Sequence, residues 1–315
     1  MHGGAQLARI SGSRRGSPQR SGARDQPPPL EEIIDAFTHP LLDRSAREAP
    51  GTPQQGEAMN VRAMRALVTG AGSGIGLGIA THLAERGHPV CLTDRDAASV
   101  EAAAAALRER GLAATAMRLD VTSAADIDAA IAALEPDGPE LLVNNAGLQH
   151  VAPLEEFPRE RWELLVAVML TGAAMLTRAA LPGMRRRGFG RIVNLGSIHS
   201  LVASPYKSAY VAAKHGLIGF AKTIALETAD SDITINTVCP SYVRTPLVDA
   251  QIASQAQAHA LPEQQIVDEI MLKPMPKHAF VTIEELGGIV EFLASDAARN
   301  VTGQWIAVDG GWTAQ

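Results

Sequence analysis

Along most of the chain, short apolar runs alternate with longer segments in which apolar residues recur at helical spacing. Runs with the length and composition of buried strands lie at 66–69, 90–93, 113–119, 141–143, 191–195, 233–238 and 305–308. The longest helical segments lie at 97–110, 124–134, 161–186 and 283–294. Strands that alternate with helices pair in parallel through right-handed crossovers. The pattern therefore predicts one doubly wound α/β domain, with a seven-stranded parallel sheet and helices on both faces.

Residues 1–63 depart from this pattern. The first 24 residues contain five arginines, many glycines and serines and no acid. Three consecutive prolines follow at 27–29, and Gly51-Thr52-Pro53-Gln54-Gln55-Gly56 closes the segment. Such a composition cannot bury enough apolar surface to offset the entropy of ordering the chain. We predict a disordered extension over 1–63 and a folded domain over 64–315. A transit peptide is the less favoured interpretation of the basic start.

A glycine-rich turn, Thr69-Gly70-Ala71-Gly72-Ser73-Gly74-Ile75-Gly76, connects the first strand to the first helix. Glycines permit a tight turn and let the backbone approach a pyrophosphate, whose charge is favoured at a helix N-terminus. Asp94 ends the second strand, where its carboxylate can accept hydrogen bonds from a ribose and repel a 2′-phosphate. The combination predicts a Rossmann-type dinucleotide site that prefers NAD. The adjacent Arg95 keeps NADP open as the alternative.

A second constellation follows the fifth strand. Ser197 stands at the end of that strand, where open parallel sheets bind their ligands. Tyr210 and Lys214 lie four residues apart in a helical segment, so they share a helix face. A hydroxyl, a phenol and an ammonium that meet at one place can polarise a carbonyl and move a proton. We therefore predict a catalytic site in this stretch.

Composition narrows the setting of this chemistry. The formal net charge of −6 disfavours nucleic acid and an anionic membrane as partners. Cys91 and Cys239 are far apart and form no CxxC or metal-ligand spacing, which predicts no metal site and a reducing cytoplasmic location. The longest apolar run, Leu164–Thr177, has 14 residues and is too short to span a bilayer. It fits a buried helix.

In their order along the chain, these motifs resemble the short-chain dehydrogenase/reductase family. The resemblance rests on the glycine turn, on Asn144-Asn145-Ala146-Gly147, and on Ser197 with Tyr210-x-x-x-Lys214, and it covers residues 64–315. It implies that Tyr210 is the general acid/base, that Lys214 lowers the pKa of Tyr210 and binds the nicotinamide ribose, and that Ser197 orients the carbonyl. The cofactor residues that it implies are Gly70, Ser73, Gly74, Ile75, Gly76, Asp94, Asp120, Val121, Asn145, Ala146, Gly147, Tyr210, Lys214, Pro240, Val243 and Thr245.

The substrate is predicted from loops at the same sheet edge. Gln149, His199 and Lys207 follow the fourth and fifth strands. A carboxylate is costly to bury without a cation or several donors, and these side chains supply both. This set favours a small anionic substrate. Within the family, the stretches 148–158, 199–216, 245–252 and 308–315 are similar to the D-3-hydroxybutyrate dehydrogenases. That likeness implies carboxylate binding by Gln149, His199, Lys207 and Gln251, with Ser197 and Tyr210 at the hydroxyl.

The same likeness implies a homo-oligomer, a dimer or tetramer that assembles through long helices. The segment 245–282, which carries Gln251, is predicted to be a substrate lid, with a passive surface hairpin as the alternative.

Met169 departs from the family pattern because many members have an asparagine there, which supports a helix kink and a water that leads to the catalytic lysine. A methionine side chain cannot donate that hydrogen bond. Two alternatives to the hydroxybutyrate interpretation are kept, of which only the second rests on Met169. One is an NAD(P)-dependent reductase of another ketone or sugar, and the other is a catalytically impaired, nucleotide-binding homologue.

Overall fold

A parallel sheet forms the centre of the protein. The computed structural model describes residues 62–134 and 136–314, and the predicted N-terminal extension lies outside them apart from its last two positions. The strands are β1 Ala66–Thr69, β2 Val90–Asp94, β3 Ala114–Arg118, β4 Leu141–Asn144, β5 Phe189–Leu195, β6 Asp232–Pro240 and β7 Trp305–Val308. Within the described residues, these seven strands pair in parallel in the order β3-β2-β1-β4-β5-β6-β7, which confirms the predicted fold class. The order reverses between β1 and β4, so a ligand crevice is expected at the carboxyl ends of these strands.

Helices cover both faces of the sheet. Their bounds are α1 Gly74–Glu85, α2 Ala97–Glu109, α3 Ala124–Ala132, α4 Arg159–Val166, α5 Ala173–Arg187, α6 Ser208–Glu227, α7 Pro246–His259, α8 Glu263–Ile266 and α9 Ile283–Ala294. On one face, α1, α2 and α9 bury residues such as Leu83, Leu107 and Val290. On the other, α3, α5 and α6 bury Ile127, Leu176 and Ala221. The strands are apolar on both sides because both faces are covered.

The predicted helix over 161–186 is interrupted at the level of the cleft. α4 and α5 are joined by a π-helical turn, Ala167–Gly172, which widens the helix by one residue per turn. Gly172 lies in this turn, and a Cβ there would be 2.9 Å from Val121 Cγ2. The close approach of the helix to the chain after β3 therefore requires a residue without a side chain.

By length and composition, the helix Arg159–Arg187 would suffice to cross a membrane, with a mean hydropathy of 1.9 in its most apolar stretch. Core helices of other proteins meet the same criterion. Here Leu165, Leu176 and Met184 are fully buried within the domain, while 39% of the apolar stretch as a whole is buried. The helix is longer than the run 164–177, which by itself was predicted to be too short to span a bilayer.

The predicted lid segment has a small apolar core of its own. It contains α7, α8 and a π-helical turn, Val267–Met271. Ile252 from α7 packs with Met271 and Met275, and Tyr242 and Trp312 pack against this group from the strand ends. The segment is therefore folded over the sheet edge as a unit that contacts the residues following β6 and β7.

Candidate active site

An open cleft with a cavity volume of about 360 Å³ lies at the carboxyl ends of the central strands. Most of the residues predicted for cofactor, substrate and catalysis line it: Gly70, Ser73, Gly74, Ile75, Asp94, Asn145, Gly147, Gln149, Ser197, His199, Lys207, Tyr210, Lys214, Pro240, Val243, Thr245 and Gln251. Four predicted cofactor residues are not part of this lining: Gly76, Asp120, Val121 and Ala146. The fold thus brings together side chains that are up to 181 positions apart, from Gly70 to Gln251.

The glycine turn forms one end of the cleft. Gly70 and Gly74 have φ values of +63° and +57°, a region that favours glycine. A Cβ on Gly76 would lie 2.2 Å from the Gly70 carbonyl oxygen, so α1 can start against the turn only with glycine at that position. Ser73 precedes α1 without capping it by its side chain, which leaves first-turn amide groups available to an anion. These features fit a dinucleotide pyrophosphate.

Hydrogen bonds hold the turn against the loop after β4. The hydroxyl of Thr69 accepts the backbone N–H groups of Asn145 and Ala146 at 2.9 and 3.0 Å. The side-chain amide of Asn145 donates to the carbonyl of Thr69 at 2.8 Å and to that of Gly70 at 3.1 Å. The role of Asn145 is therefore to fix the turn, in addition to its place in the cleft wall.

Asp94 is held at the edge of the cleft by backbone donors. Its two carboxylate oxygens accept the N–H groups of Gly72 and Asp96 at 3.2 and 3.1 Å. Each oxygen keeps a further lone pair, so the carboxylate can still accept from a ribose diol. Asp120 lies outside the cleft lining, and its carboxylate accepts both the N–H and the hydroxyl of Thr122.

Ser197, Tyr210 and Lys214 converge at the centre of the cleft. Ser197 begins a short 3₁₀ helix and accepts the N–H of His199 at 3.1 Å. The Lys214 ammonium lies 5.6 Å from the centre of the Tyr210 ring and donates to the carbonyl of Leu195 at 2.5 Å. Ser197 lies near enough to the Tyr210 hydroxyl to favour the phenolate and so oppose the rise of its pKa. A phenol and a hydroxyl therefore share one position at which a substrate oxygen can bind.

Burial has the largest effect on the pKa values of both Tyr210 and Lys214. Burial raises the pKa of the Tyr210 phenol, and the nearby Ser197 side chain only partly opposes the rise. Burial also lowers the pKa of Lys214 to about 8. The effect of Lys214 on the pKa of Tyr210 therefore stays a prediction, because desolvation of the buried phenolate is the largest influence on that pKa in the protein alone.

Lys207 and His199 form a cationic corner of the cleft. The Lys207 ammonium lies 3.3 Å from His199 Nε2. Burial, reinforced by the charge of Lys207, lowers the pKa of His199 to about 4, so the ring is neutral near pH 7 and accepts from the ammonium. Burial also lowers the pKa of Lys207, and no described carboxylate pairs with it. A half-buried cation without an acidic partner is suited to an anionic ligand.

Glutamine side chains and the ring of Tyr242 complete the cleft, with Trp312 packed against Tyr242. The Gln149 oxygen accepts the N–H of His150 at 3.0 Å, which leaves the Gln149 amide free to donate. Gln251 enters from α7. Tyr242 also lines the cleft and stacks on Trp312, whose ring centre is 6.3 Å from that of His199. Neither aromatic residue was predicted for the site from the sequence, although Trp312 lies in the stretch 308–315 on which the family likeness rests in part.

Met169 lies behind Lys214. It is 2% exposed, in the π-helical turn, and it lines a small cavity together with Lys214, Thr69 and Asn144. The helix irregularity therefore forms with methionine in this position. The cavity is polar on the side of Lys214 and apolar on the side of Met169.

Comparisons with known proteins extend over the same residues. A family model described as enoyl-(acyl carrier protein) reductase matches residues 70–313. D-beta-hydroxybutyrate dehydrogenase of Cupriavidus necator is 48% identical over 255 residues, which cover 79% of this chain and 98% of that protein. The protein of the same name from Rhizobium meliloti is 44% identical over 256 residues, with coverage of 79% and 98%.

Solved structures show the same likeness. A variant of actinorhodin polyketide ketoreductase, crystallised with NADPH, is 35% identical with a TM-score of 0.75, and the match covers 79% of this chain and 97% of that one. A putative gluconate dehydrogenase from Agrobacterium tumefaciens is 32% identical with a TM-score of 0.74, with coverage of 81% and 97%. Each match spans nearly the whole length of the other protein.

Proposed function

Because the chain belongs to the short-chain dehydrogenase/reductase family, we propose that it catalyses the NAD-dependent oxidation of (R)-3-hydroxybutyrate to acetoacetate. Membership makes the protein an oxidoreductase that uses a nicotinamide cofactor. The substrate and the choice of NAD are the proposal. The observation that carries it is the half-buried Lys207 ammonium, which faces the same cleft as Tyr210 and has no described acidic partner.

We assign the proton chemistry to Tyr210. Its phenolate accepts the proton of the substrate hydroxyl, while the Ser197 hydroxyl donates a hydrogen bond to the oxygen that becomes the carbonyl. A bound nicotinamide cofactor would supply the hydride acceptor and, in its oxidised form, a positive charge that favours the phenolate. Lys214, fixed by the carbonyl of Leu195, holds the ribose and adds a second positive charge. In the reverse direction Tyr210 returns the proton.

The carboxylate of the hydroxy acid would bind at the cationic corner. Lys207 supplies the charge, and the free amides of Gln149 and Gln251 supply neutral donors. Neutral His199 accepts from Lys207, so its role in this geometry is to orient the ammonium. A single cation and short side chains around it suit a small acid.

NAD is the proposed cofactor because of Asp94. Its carboxylate is fixed by Gly72 and Asp96 beside the glycine turn, where a 2′-phosphate would meet a negative charge. The glycine turn, Asp94, Asn145, Gly147, Pro240, Val243 and Thr245 would hold the cofactor along the cleft.

We also propose a homo-oligomer in the cytoplasm. The helix Arg159–Arg187 leaves apolar residues such as Met175 (41% exposed) outside the core of the single chain, which is consistent with helix packing between copies. Both cysteines are free and buried, which is compatible with a reducing compartment. Light scattering of the purified protein tests the assembly: a monomer contradicts it.

One panel of substrates with both cofactors tests the proposed reaction. We expect NAD⁺ to be reduced with (R)-3-hydroxybutyrate and hardly with its (S) enantiomer or with neutral secondary alcohols. Better turnover of a neutral alcohol or a sugar, or a preference for NADP⁺, favours a different dehydrogenase. NADH binding without turnover of any compound favours an impaired homologue, and turnover restored by Met169→Asn would identify the cause.

A further inference from the structure

Tyr206 has an unusual backbone conformation directly before Lys207. Among the described residues, three that are not glycine have a positive φ: Tyr206 at 66°, Ala260 at 51° and His278 at 47°. Ala260 follows the last residue of α7, where a left-handed residue is common. Tyr206 does not end a helix. A bulky residue in this region is disfavoured because its Cβ approaches the backbone.

The local sequence explains the turn at Tyr206. It does not explain why a tyrosine, rather than a glycine, occupies this strained position. Pro205 and Tyr206 occupy the centre of a turn. Proline fixes φ at the first central position, and a positive φ at the second is the type II pattern, which normally takes glycine. The Tyr206 side chain is 58% exposed, so packing of its ring offsets little of the strain.

The backbone around Tyr206 connects two parts of the substrate site. Its carbonyl accepts the N–H of Ala152 at 3.0 Å, which joins the loop after β5 to the loop that carries Gln149. The next residue, Lys207, precedes α6 and places its ammonium 3.3 Å from His199. The turn thus determines where Lys207 leaves the loop and where α6 begins.

We propose that Tyr206 is a positioning residue: its left-handed backbone directs Lys207 into the cleft and ties it to the loop of Gln149. The role of Lys207 as the substrate cation rests on the proposed function. The position of the Lys207 side chain in the cleft is independent of the proposed function. The ring of Tyr206 does not line the cleft, so the proposal concerns its backbone.

Two substitutions separate the backbone from the ring. Tyr206→Gly removes the ring and adopts the conformation without strain, whereas Tyr206→Val removes the ring and is β-branched, which makes a positive φ most costly. Trypsin cleavage of the Lys207–Ser208 bond reports on this loop without any substrate. We expect wild-type cleavage for Tyr206→Gly and cleavage about tenfold faster for Tyr206→Val, in line with the usual strain of such residues.

Steady-state kinetics provide the second measurement. For Tyr206→Val we expect KM for (R)-3-hydroxybutyrate to rise about tenfold with kcat changed less than about threefold, and Tyr206→Gly to keep both values. If the valine variant does not accumulate, Tyr206→Ala against Tyr206→Asn gives the same contrast, since asparagine tolerates a positive φ. Equal damage by glycine and valine would assign the effect to the ring and overturn the proposal.

An unchanged valine variant in both measurements would overturn it as well. If no hydroxy acid is turned over, the proposed function fails, while the proteolysis comparison still decides whether the backbone of Tyr206 holds Lys207 in place.

Discussion

The two ends of the cleft are built in opposite ways. At the glycine turn, Thr69 and Asn145 connect through hydrogen bonds to neighbouring backbone groups, and Asp94 accepts two backbone donors. At the cationic corner, Lys207 is half-buried without a described carboxylate, and His199 is held neutral. At the first end, Thr69, Asn145 and Asp94 are held by hydrogen bonds within the protein, and among the described residues no charge there is buried without a partner. The second contains a charge that is costly to bury until an anion neutralises it.

This difference separates binding of the cofactor from recognition of the substrate. A satisfied, glycine-dependent end presents a fixed shape, so substitutions there are expected to disturb folding and cofactor affinity together. An unsatisfied end has been shaped at the expense of stability, as functional sites commonly are. Substitutions there are expected to change substrate affinity with little loss of stability.

The largest effect is expected at the boundary of the two ends. Tyr210→Phe removes the group that exchanges a proton with the substrate, so we expect kcat to fall about 10³-fold, within the usual range for general acid/base catalysis. NADH affinity, followed by fluorescence titration, and the melting temperature should stay near wild type. Retention of more than about a tenth of the activity would remove Tyr210 from its assigned role.

Lys207→Met tests the cationic corner alone. The side chain keeps its length and loses its charge, so we expect KM for (R)-3-hydroxybutyrate to rise about 100-fold, as for the loss of a charge-assisted contact. NADH affinity should not change, and the melting temperature should not fall. The matched control is Lys222→Met. Lys222 is exposed on α6, the helix that Lys207 precedes, and this variant should behave like wild type. Equal KM values for the two variants would show that the corner does not recognise the acid.

The cofactor end was predictable from local sequence because its geometry is local. The glycine turn, its strand and its helix are consecutive in the chain. A positive φ at Gly70 and Gly74 and a close backbone approach at Gly76 require glycine, and these glycines can be recognised in the sequence. The parallel seven-stranded sheet followed from alternation of strands and helices and was confirmed, whereas the order of its strands comes from the structure.

The substrate end was only partly predictable, because its properties arise from packing. The raised pKa of Tyr210 depends on how deeply the fold buries it. The stack of Tyr242 on Trp312 joins residues that follow different strands. The conformation of Tyr206 contradicts the usual preference for glycine, and a Pro-Tyr pair alone does not reveal it.

Gly76→Ala tests the cofactor end. The added methyl would lie 2.2 Å from a backbone oxygen, which cannot move aside as a flexible side chain can. We expect a loss of about 2 kcal/mol in the free energy of unfolding, together with weaker NADH binding. The control is Gly219→Ala, within α6 and with nothing within 4 Å of the new Cβ, for which we expect a gain of about 0.5–1 kcal/mol. Denaturant unfolding of both variants measures the contrast, and losses of equal size would refute it.

His199 gives the smallest effect and tests whether the substrate end is destabilised in the free protein. Its folded pKa is about 4, against 6.5 for the free side chain, so below pH 6.5 the unfolded chain binds a proton that the folded chain does not. Stability must then fall as pH decreases, by on the order of 1 kcal/mol between pH 6.5 and 5.5. His199→Gln should remove this part of the dependence of stability on pH, as measured by urea unfolding.

Buried His88, whose pKa is also lowered, should keep its own contribution in the variant. The carboxylates of Asp120 and Asp309 have pKa values lowered from 3.8 and therefore act at more acidic pH. An unchanged slope in His199→Gln would mean that this imidazole is not held neutral, and the contrast between the two ends of the cleft would then rest on Lys207 alone.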